Sequence, residues 1–216
     1  MVSIIPAVLA VLVLALGVKE VEAARKTGNG LPSLNWKTFD KRFLTFLVVV
    51  IIFTLGNSSD SFIILLGQDR GLSVLQIMGM LMTFNAIYAL LAGPFGSLSD
   101  RIGRRRLMLA GWILYGLVYL GFALSHTGAQ VWALFGIYGI YYALTEGVAK
   151  ALVADIVPQE QRGTAYGLFN AAIGLTALPA SLIAGILWQT LSPSAPFIFG
   201  ASLSLVAGFL LMTWVK

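Results

Sequence analysis

Seven apolar runs dominate this chain, at residues 3–18, 43–66, 74–98, 107–125, 130–152, 163–189 and 196–215. About 20 mostly apolar residues in a helix cross roughly 30 Å of hydrocarbon, and the last six runs are about that long or longer. Only 11% of residues are charged and 58% are hydrophobic, against about 25% charged in a soluble domain. The expected fold is therefore an all-α membrane protein with about seven transmembrane helices.

The connections alternate sharply in charge. Lys19, Arg25, Lys26, Lys37, Lys41 and Arg42 follow the first run, and Arg101, Arg104, Arg105 and Arg106 follow the third. Lys150 and Arg162 flank the turn after the fifth, and Lys216 ends the chain. Arg70 alone stands on the other side. Positive residues stay in the cytoplasm. This places residues 19–42, 99–106 and 153–162 inside and 67–73, 126–129 and 190–195 outside. The N-terminus is then external and the C-terminus cytoplasmic, in a plasma membrane, or the inner membrane of a bacterium. The net charge of +5 is accounted for by topology and anionic lipid, not by nucleic acid.

The first run is short and begins almost at Met1, as though its outer end were cut away. The stretch 19–42 carries Gly28, Asn29, Gly30 and Pro32, which disfavour a continuous helix. The organisation expected is a lone helix over 1–18, a cytoplasmic linker over 19–42 and a compact six-helix bundle over 43–216. Within the bundle, Gly163, Gly167, Ala171, Gly174, Ala177, Ser181 and Gly185 form a smooth stripe where another backbone can approach. Packing inside the bundle is its expected use; a sliding surface against another bundle is the alternative. Pro179 is expected to kink that helix.

Several chemistries are excluded or unsupported. The chain has no cysteine, so thiolate metal sites, disulfides and cysteine nucleophiles are ruled out. Its one histidine, His126, lies in a short polar stretch expected to face solvent. No metal cluster, nucleotide loop or nucleophile–base pair is evident, so no cofactor, no metal and no enzyme activity are expected.

The turn between the third and fourth runs reads Gly96-Ser97-Leu98-Ser99-Asp100-Arg101-Ile102-Gly103-Arg104-Arg105. Gly96 would let a neighbouring helix come close. Asp100 offers a carboxylate to a facing helix N-terminus. Gly103 permits a tight reversal, and the arginines would sit at a helix C-terminus and at lipid headgroups. The Gly-x-x-x-Asp-Arg-x-Gly-Arg-Arg spacing resembles the cytoplasmic loop signature of the major facilitator superfamily. Residues 155–167, Asp155-Ile156-Val157-Pro158 through Gly167, look like that family's loop between its tenth and eleventh helices.

A lone span, a long linker and six more spans resemble the family's sixth helix, central loop and helices seven to twelve. The resemblance implies one half-bundle of a secondary active transporter, which moves a small solute by rocking two six-helix halves about a midplane site. It implies a cytoplasmic gating motif formed by Gly96, Asp100, Arg101, Gly103, Arg104 and Arg105. It implies as partners the lipid bilayer, a small solute with protons as the candidate coupling ion, and an N-terminal half supplied elsewhere. A non-transporting scaffold or regulator derived from a transporter half is the alternative.

Charges at bilayer depth are costly and usually face a cavity or a partner. Asp60 and Glu146 are the two such acids. With Asn57, Asn85 and Tyr142 they are the candidate substrate or coupling-ion residues; Asn170 is a weaker one. Thr54 to Ser61 holds one large apolar residue, Leu55, which predicts a helix break or a cavity wall around Asp60. Lys150, one turn beyond Glu146, is placed either to pair with it or to snorkel to the interface and leave Glu146 to another partner. At 1.5 Å per residue the two acids sit roughly 12 Å apart along the membrane normal, too far to pair directly. The other tyrosines of the fifth run are expected to be packing residues.

Overall fold

The computed structural model describes residues 39–215. The expected lone helix over 1–18 and nearly all of the 19–42 linker lie outside them, as does Lys216. The described chain is helical throughout, with α1 Lys41–Gly56, α2 Ser61–Asp69, α3 Val74–Ile102, α4 Arg104–Ala123, α5 Gly128–Ile156, α6 Arg162–Thr190 and α7 Ala195–Trp214, and a 3-10 turn at Gln159–Gln161.

Five stretches are long and apolar enough to cross a membrane: Lys41–Asp69, Val74–Ile102, Arg104–Ala123, Gln159–Thr190 and Ala195–Trp214. The sixth, α5, has the length at 29 residues, but its tyrosines, glycines, Glu146 and Lys150 dilute its apolar character. It is packed between α3 and α4. The result is an all-α membrane half-bundle of six spans.

The helix starts are written in the sequence. Ser73 and Gln76 close a reciprocal capping box on α3, and Thr127 and Gln130 do so on α5, satisfying N–H groups that the first turn leaves unpaired. Helices run beyond the apolar runs, because once started the backbone ladder continues into polar residues. Residues 99–106 are thus almost wholly helical; only Gly103 interrupts, at φ 96°. That left-handed backbone suits glycine. Arg104, Arg105 and Arg106 then occupy the first turn of α4, the end of a helix dipole that disfavours cations. This corrects the expectation that they close α3; only Arg101 lies in its last turn.

The span containing Asp60 is broken. Asn57 to Asp60 separate α1 from α2, where the polar run predicted it. Two close approaches fix the break. A Cβ on Gly200 of α7 would lie 2.5 Å from the Gly56 carbonyl oxygen and 2.7 Å from the Tyr119 ring, so backbone meets backbone there. The Tyr115 hydroxyl donates to the same Gly56 carbonyl at 3.0 Å.

Aromatic rings fill the centre. Phe53 stacks on Trp112 at 4.5 Å and Tyr115 on Tyr119 at 3.9 Å, while Phe84 packs on Phe135 at 4.8 Å. The helices alternate in direction. At one end Arg104 reaches Asp155 of α5, and Arg105 donates to the Met212 carbonyl of α7. At the other, Gly128 N–H donates to the Arg70 carbonyl at 3.0 Å and the Ser194 hydroxyl to the Ala123 carbonyl at 2.7 Å.

Burial is uneven. In α4 and α7, 56% and 44% of the most apolar stretch is buried, against 17% in α3 and in α6. The glycine stripe lies on the open side: Gly163, Gly167 and Gly174 have no heavy atom within 4 Å of an added Cβ. The buried side of α6 is instead Ala165, Leu168, Phe169, Thr176, Ala180 and Ala184. From Gly163 to Gly174 the stripe therefore does not pack inside the bundle, whereas at its far end an added Cβ on Gly185 would lie 3.9 Å from the Phe62 ring. Pro179 sits within a helix that continues unbroken to Thr190.

Candidate functional site

A cavity of about 310 Å³ opens among α1, α4, α5 and α6. Its apolar walls are Val50, Phe53, Met108, Trp112, Tyr141, Phe169 and Ile173. Polar groups enter from α1 as Thr54 and Asn57, from α5 as Tyr142, Thr145, Glu146 and Lys150, and from α6 as Asn170. Apolar walls with a few convergent polar groups are the usual make-up of a small-molecule site.

Asp60 stands beside this cavity, at the start of α2. An aspartate there ordinarily accepts from the first backbone N–H groups of the helix. Here its side chain makes no such bond; Ser59 Oγ accepts from Ser61 N instead, at 3.3 Å. The Asp60 carboxylate turns to α5, where the Tyr138 hydroxyl donates to Oδ1 at 3.0 Å and the Tyr142 hydroxyl to Oδ2 at 3.3 Å. The Tyr138 hydroxyl also lies 3.5 Å from Asn57 Oδ1. Tyr119, next to Tyr138, has a buried hydroxyl without a hydrogen-bond partner among the described residues.

Glu146 is held differently. Tyr88 of α3 donates to Oε2 at 2.6 Å, and Lys150 pairs with Oε1 at 3.3 Å. The two acids thus engage the same helix without pairing with each other. Asn57, Tyr142, Glu146 and Asn170 share the cavity, whereas Asn85 does not line it. Asn85 is exposed on α3, and its amide donates to the Leu81 carbonyl of its own helix at 2.8 Å.

Two residues escape a reading of the sequence. Tyr138 and Tyr88 are carboxylate ligands, so the tyrosines of α5 are not merely packing groups. The four-residue spacing of Tyr138 and Tyr142 puts both on one helix face, but only the fold shows which acid they meet.

At the basic end, Arg104 gathers three acceptors. Its guanidinium contacts Asp155 at 2.6 Å and the Ala151 carbonyl at 2.5 Å, both on α5, and Asp100 at 3.1 Å. Arg101 is exposed. Gly96 has no neighbour within 4 Å of an added Cβ, so the close approach expected of it is not made among the described residues.

A family model of the Major Facilitator Superfamily matches residues 44–216. The chain is 41% identical over 182 residues to an uncharacterized MFS-type transporter of Methanocaldococcus jannaschii, covering 82% of this chain and 46% of that protein. It is 31% identical over 145 residues to a class B tetracycline resistance protein of Escherichia coli, covering 64% and 34%. It is 25% identical over 118 residues to a Na(+), Li(+), K(+)/H(+) antiporter of Planococcus maritimus, covering 52% and 28%. The chain spans less than half the length of these relatives.

Proposed function

Because the chain belongs to the Major Facilitator Superfamily, we propose that it supplies the C-terminal six-helix half of a secondary active transporter for a small solute. The observation that carries this reading is the open side of the bundle. Glu146, Lys150 and Asn170 are exposed at the cavity, on the side left uncovered by α3 and α6. Charged and amide groups facing lipid at that depth are costly. A second six-helix bundle laid over them would turn the cavity into half of a shared site and give the glycine stripe a backbone to slide against. Alternating access then follows from rocking one half on the other.

In this reading the end bearing Arg101, Arg104, Arg105 and Arg106 is cytoplasmic, by the positive-inside rule, and the membrane is the plasma membrane. Gly96 through Arg105 belong to the cytoplasmic closure, and the polar groups of the cavity bind the solute. The relatives' names suggest two first probes, tetracycline and alkali cations, under an imposed pH gradient.

The test is to co-express the chain with the N-terminal half of the Methanocaldococcus relative, reconstitute both in proteoliposomes, and measure uptake of those probes. Transport that requires both halves is the expected result. Failure of the pair to move a probe that the intact relative does move would overturn the proposal.

A further inference from the structure

Three carboxylates among the described residues, Asp40, Glu160 and Asp60, have no cationic partner, and of these only Asp60 is not exposed. Among the described residues, no lysine, arginine or histidine nitrogen lies within 4.0 Å of it, whereas Asp69, Asp100, Glu146 and Asp155 each have a cationic partner. The ionisable groups that face it are tyrosines: Tyr138, Tyr141 and Tyr142 from α5, Tyr115 and Tyr119 from α4. On α3, Tyr88 is committed to Glu146, and Asp100 and Arg101 lie at the basic end. On α6, Arg162 and Tyr166 lie at that same end, and α7 has no titratable side chain. A charge at this depth without a counter-ion is held by hydroxyl donors alone, and adding a proton removes it.

We propose that Asp60 is a proton-binding site and that the Tyr138 hydroxyl reports its occupancy to the cavity. The Tyr138 hydroxyl has two acceptors within reach, Asp60 Oδ1 at 3.0 Å and Asn57 Oδ1 at 3.5 Å. With Asp60 ionised, Tyr138 donates to Oδ1. When a proton arrives on Oδ1, that oxygen becomes the donor and the Tyr138 oxygen the acceptor. The hydroxyl hydrogen of Tyr138 then turns to Asn57 Oδ1, which is within hydrogen-bond reach. No covalent bond changes except the O–H formed on Asp60.

The consequence is mechanical. Asn57 caps the end of α1 at the helix break and lines the cavity, and so does Tyr142, the second donor to Asp60. Protonation therefore strengthens the hold of α5 on the end of α1 and weakens the bond that fixes Tyr142. Glu146 differs in having a cationic partner, Lys150, beside its hydroxyl donor Tyr88. Donors on both carboxylate oxygens favour the ionised form, so a proton that binds must turn one of them away, as Tyr138 can turn toward Asn57; a metal ion would need both turned away. The inference rests on the transporter reading only for what the cavity change accomplishes.

The test needs no solute and no transport, so its failure is separable from failure of that reading. The purified 216-residue chain in lipid nanodiscs is examined by pH-difference infrared spectroscopy. A carboxylic C=O band and a coupled shift of a tyrosine C–O band are expected. Asp60→Asn should lose both, and Glu146→Gln should keep both. Tyr138→Phe, which keeps the ring stacking, should keep the carboxyl band and lose the tyrosine shift. If Asp60→Asn does not fold, ¹³C-aspartate labelling makes the assignment in a chain carrying Asp40→Asn, Asp69→Asn, Asp100→Asn and Asp155→Asn, where Asp60 is the remaining aspartate and the band must move with aspartate and not with glutamate label. Three results would overturn the proposal: a carboxyl band that survives Asp60→Asn, no titrating carboxyl at all, or the same spectral change driven by sodium at fixed pH.

Discussion

Tyr88 and Glu146 meet across the α3–α5 interface in a 2.6 Å hydrogen bond, the hydroxyl donating to Oε2. Glu146 is therefore the shared acceptor of a neighbouring helix and of its own Lys150. The second contact is an i,i+4 pair with both side chains about half exposed, at 44% and 51%. Such pairs contribute about 0.3–0.5 kcal/mol. A hydrogen bond to an ionised group is usually stronger, and here, with partial exposure, about 1 kcal/mol is reasonable.

The first prediction follows from that ordering. Tyr88→Phe should destabilise the chain by about 1 kcal/mol and Lys150→Met by about half that or less. Glu146→Gln should cost the most, because it leaves Lys150 uncompensated. The double variant Glu146→Gln/Lys150→Met should recover part of the loss. Thermal unfolding in one detergent reads all four. A Lys150→Met variant less stable than Tyr88→Phe would show the ion pair to be the stronger contact.

The second prediction concerns Arg104. It joins α4 to α5 through Asp155 at 2.6 Å, whereas its contact with Asp100 is a more exposed i,i+4 pair at 3.1 Å. Asp155→Asn should then lower stability by roughly 1 kcal/mol, and Asp100→Asn by a few tenths. Arg104→Lys should resemble Asp155→Asn, since a single ammonium cannot reproduce the guanidinium fork. In an assembled transporter the order should reverse for transport rate, Asp100→Asn being the more harmful. Equal stability losses for both aspartates in the chain alone would place Asp100 in internal packing instead.

Much of this was legible in the sequence, and the failures have physical causes. Apolar length located the spans because hydrocarbon thickness is a fixed ruler. The small polar run around Asp60 was legible as a helix break or a cavity wall, and both are present: the helix stops at Asn57–Asp60, and Thr54 and Asn57 line the cavity. The placement of Arg104 to Arg106 was misread because the loop is one residue long, and Gly103 alone separates helix end from helix start. The roles of Tyr88 and Tyr138 could not be read, because periodicity gives a residue's face but not the helix opposite it. Asn85 illustrates the same point from the other side: it is polar at bilayer depth, yet its partner is its own helix.

The third prediction tests which way the bundle faces. The chain contains no cysteine, so single cysteines can be placed freely. Gly128 is a poor site despite lying at a turn, because a Cβ there would fall 2.6 Å from Leu72. The exposed His126 is the better choice. His126→Cys should react with an impermeant maleimide in intact cells, and Gln159→Cys should react only after lysis. The opposite pattern would invert the topology.

The last prediction separates the two kinds of glycine. At Gly200 an added methyl meets the Gly56 carbonyl oxygen at 2.5 Å and the Tyr119 ring at 2.7 Å. Backbone cannot move aside as a flexible side chain can, so Gly200→Ala should cost about 1–3 kcal/mol, as overpacked cores do. At Gly167 and Gly174 the same methyl meets nothing within 4 Å. There alanine has the better intrinsic helix propensity, so Gly167→Ala and Gly174→Ala should leave the isolated chain as stable or slightly more so. If a second bundle lies against that stripe, Gly174→Leu should be silent in the chain alone and should block assembly with an N-terminal half, read as loss of co-purification. Undiminished co-purification with leucine at both Gly167 and Gly174 would show that the stripe faces lipid, and the companion bundle would then have to contact a different face.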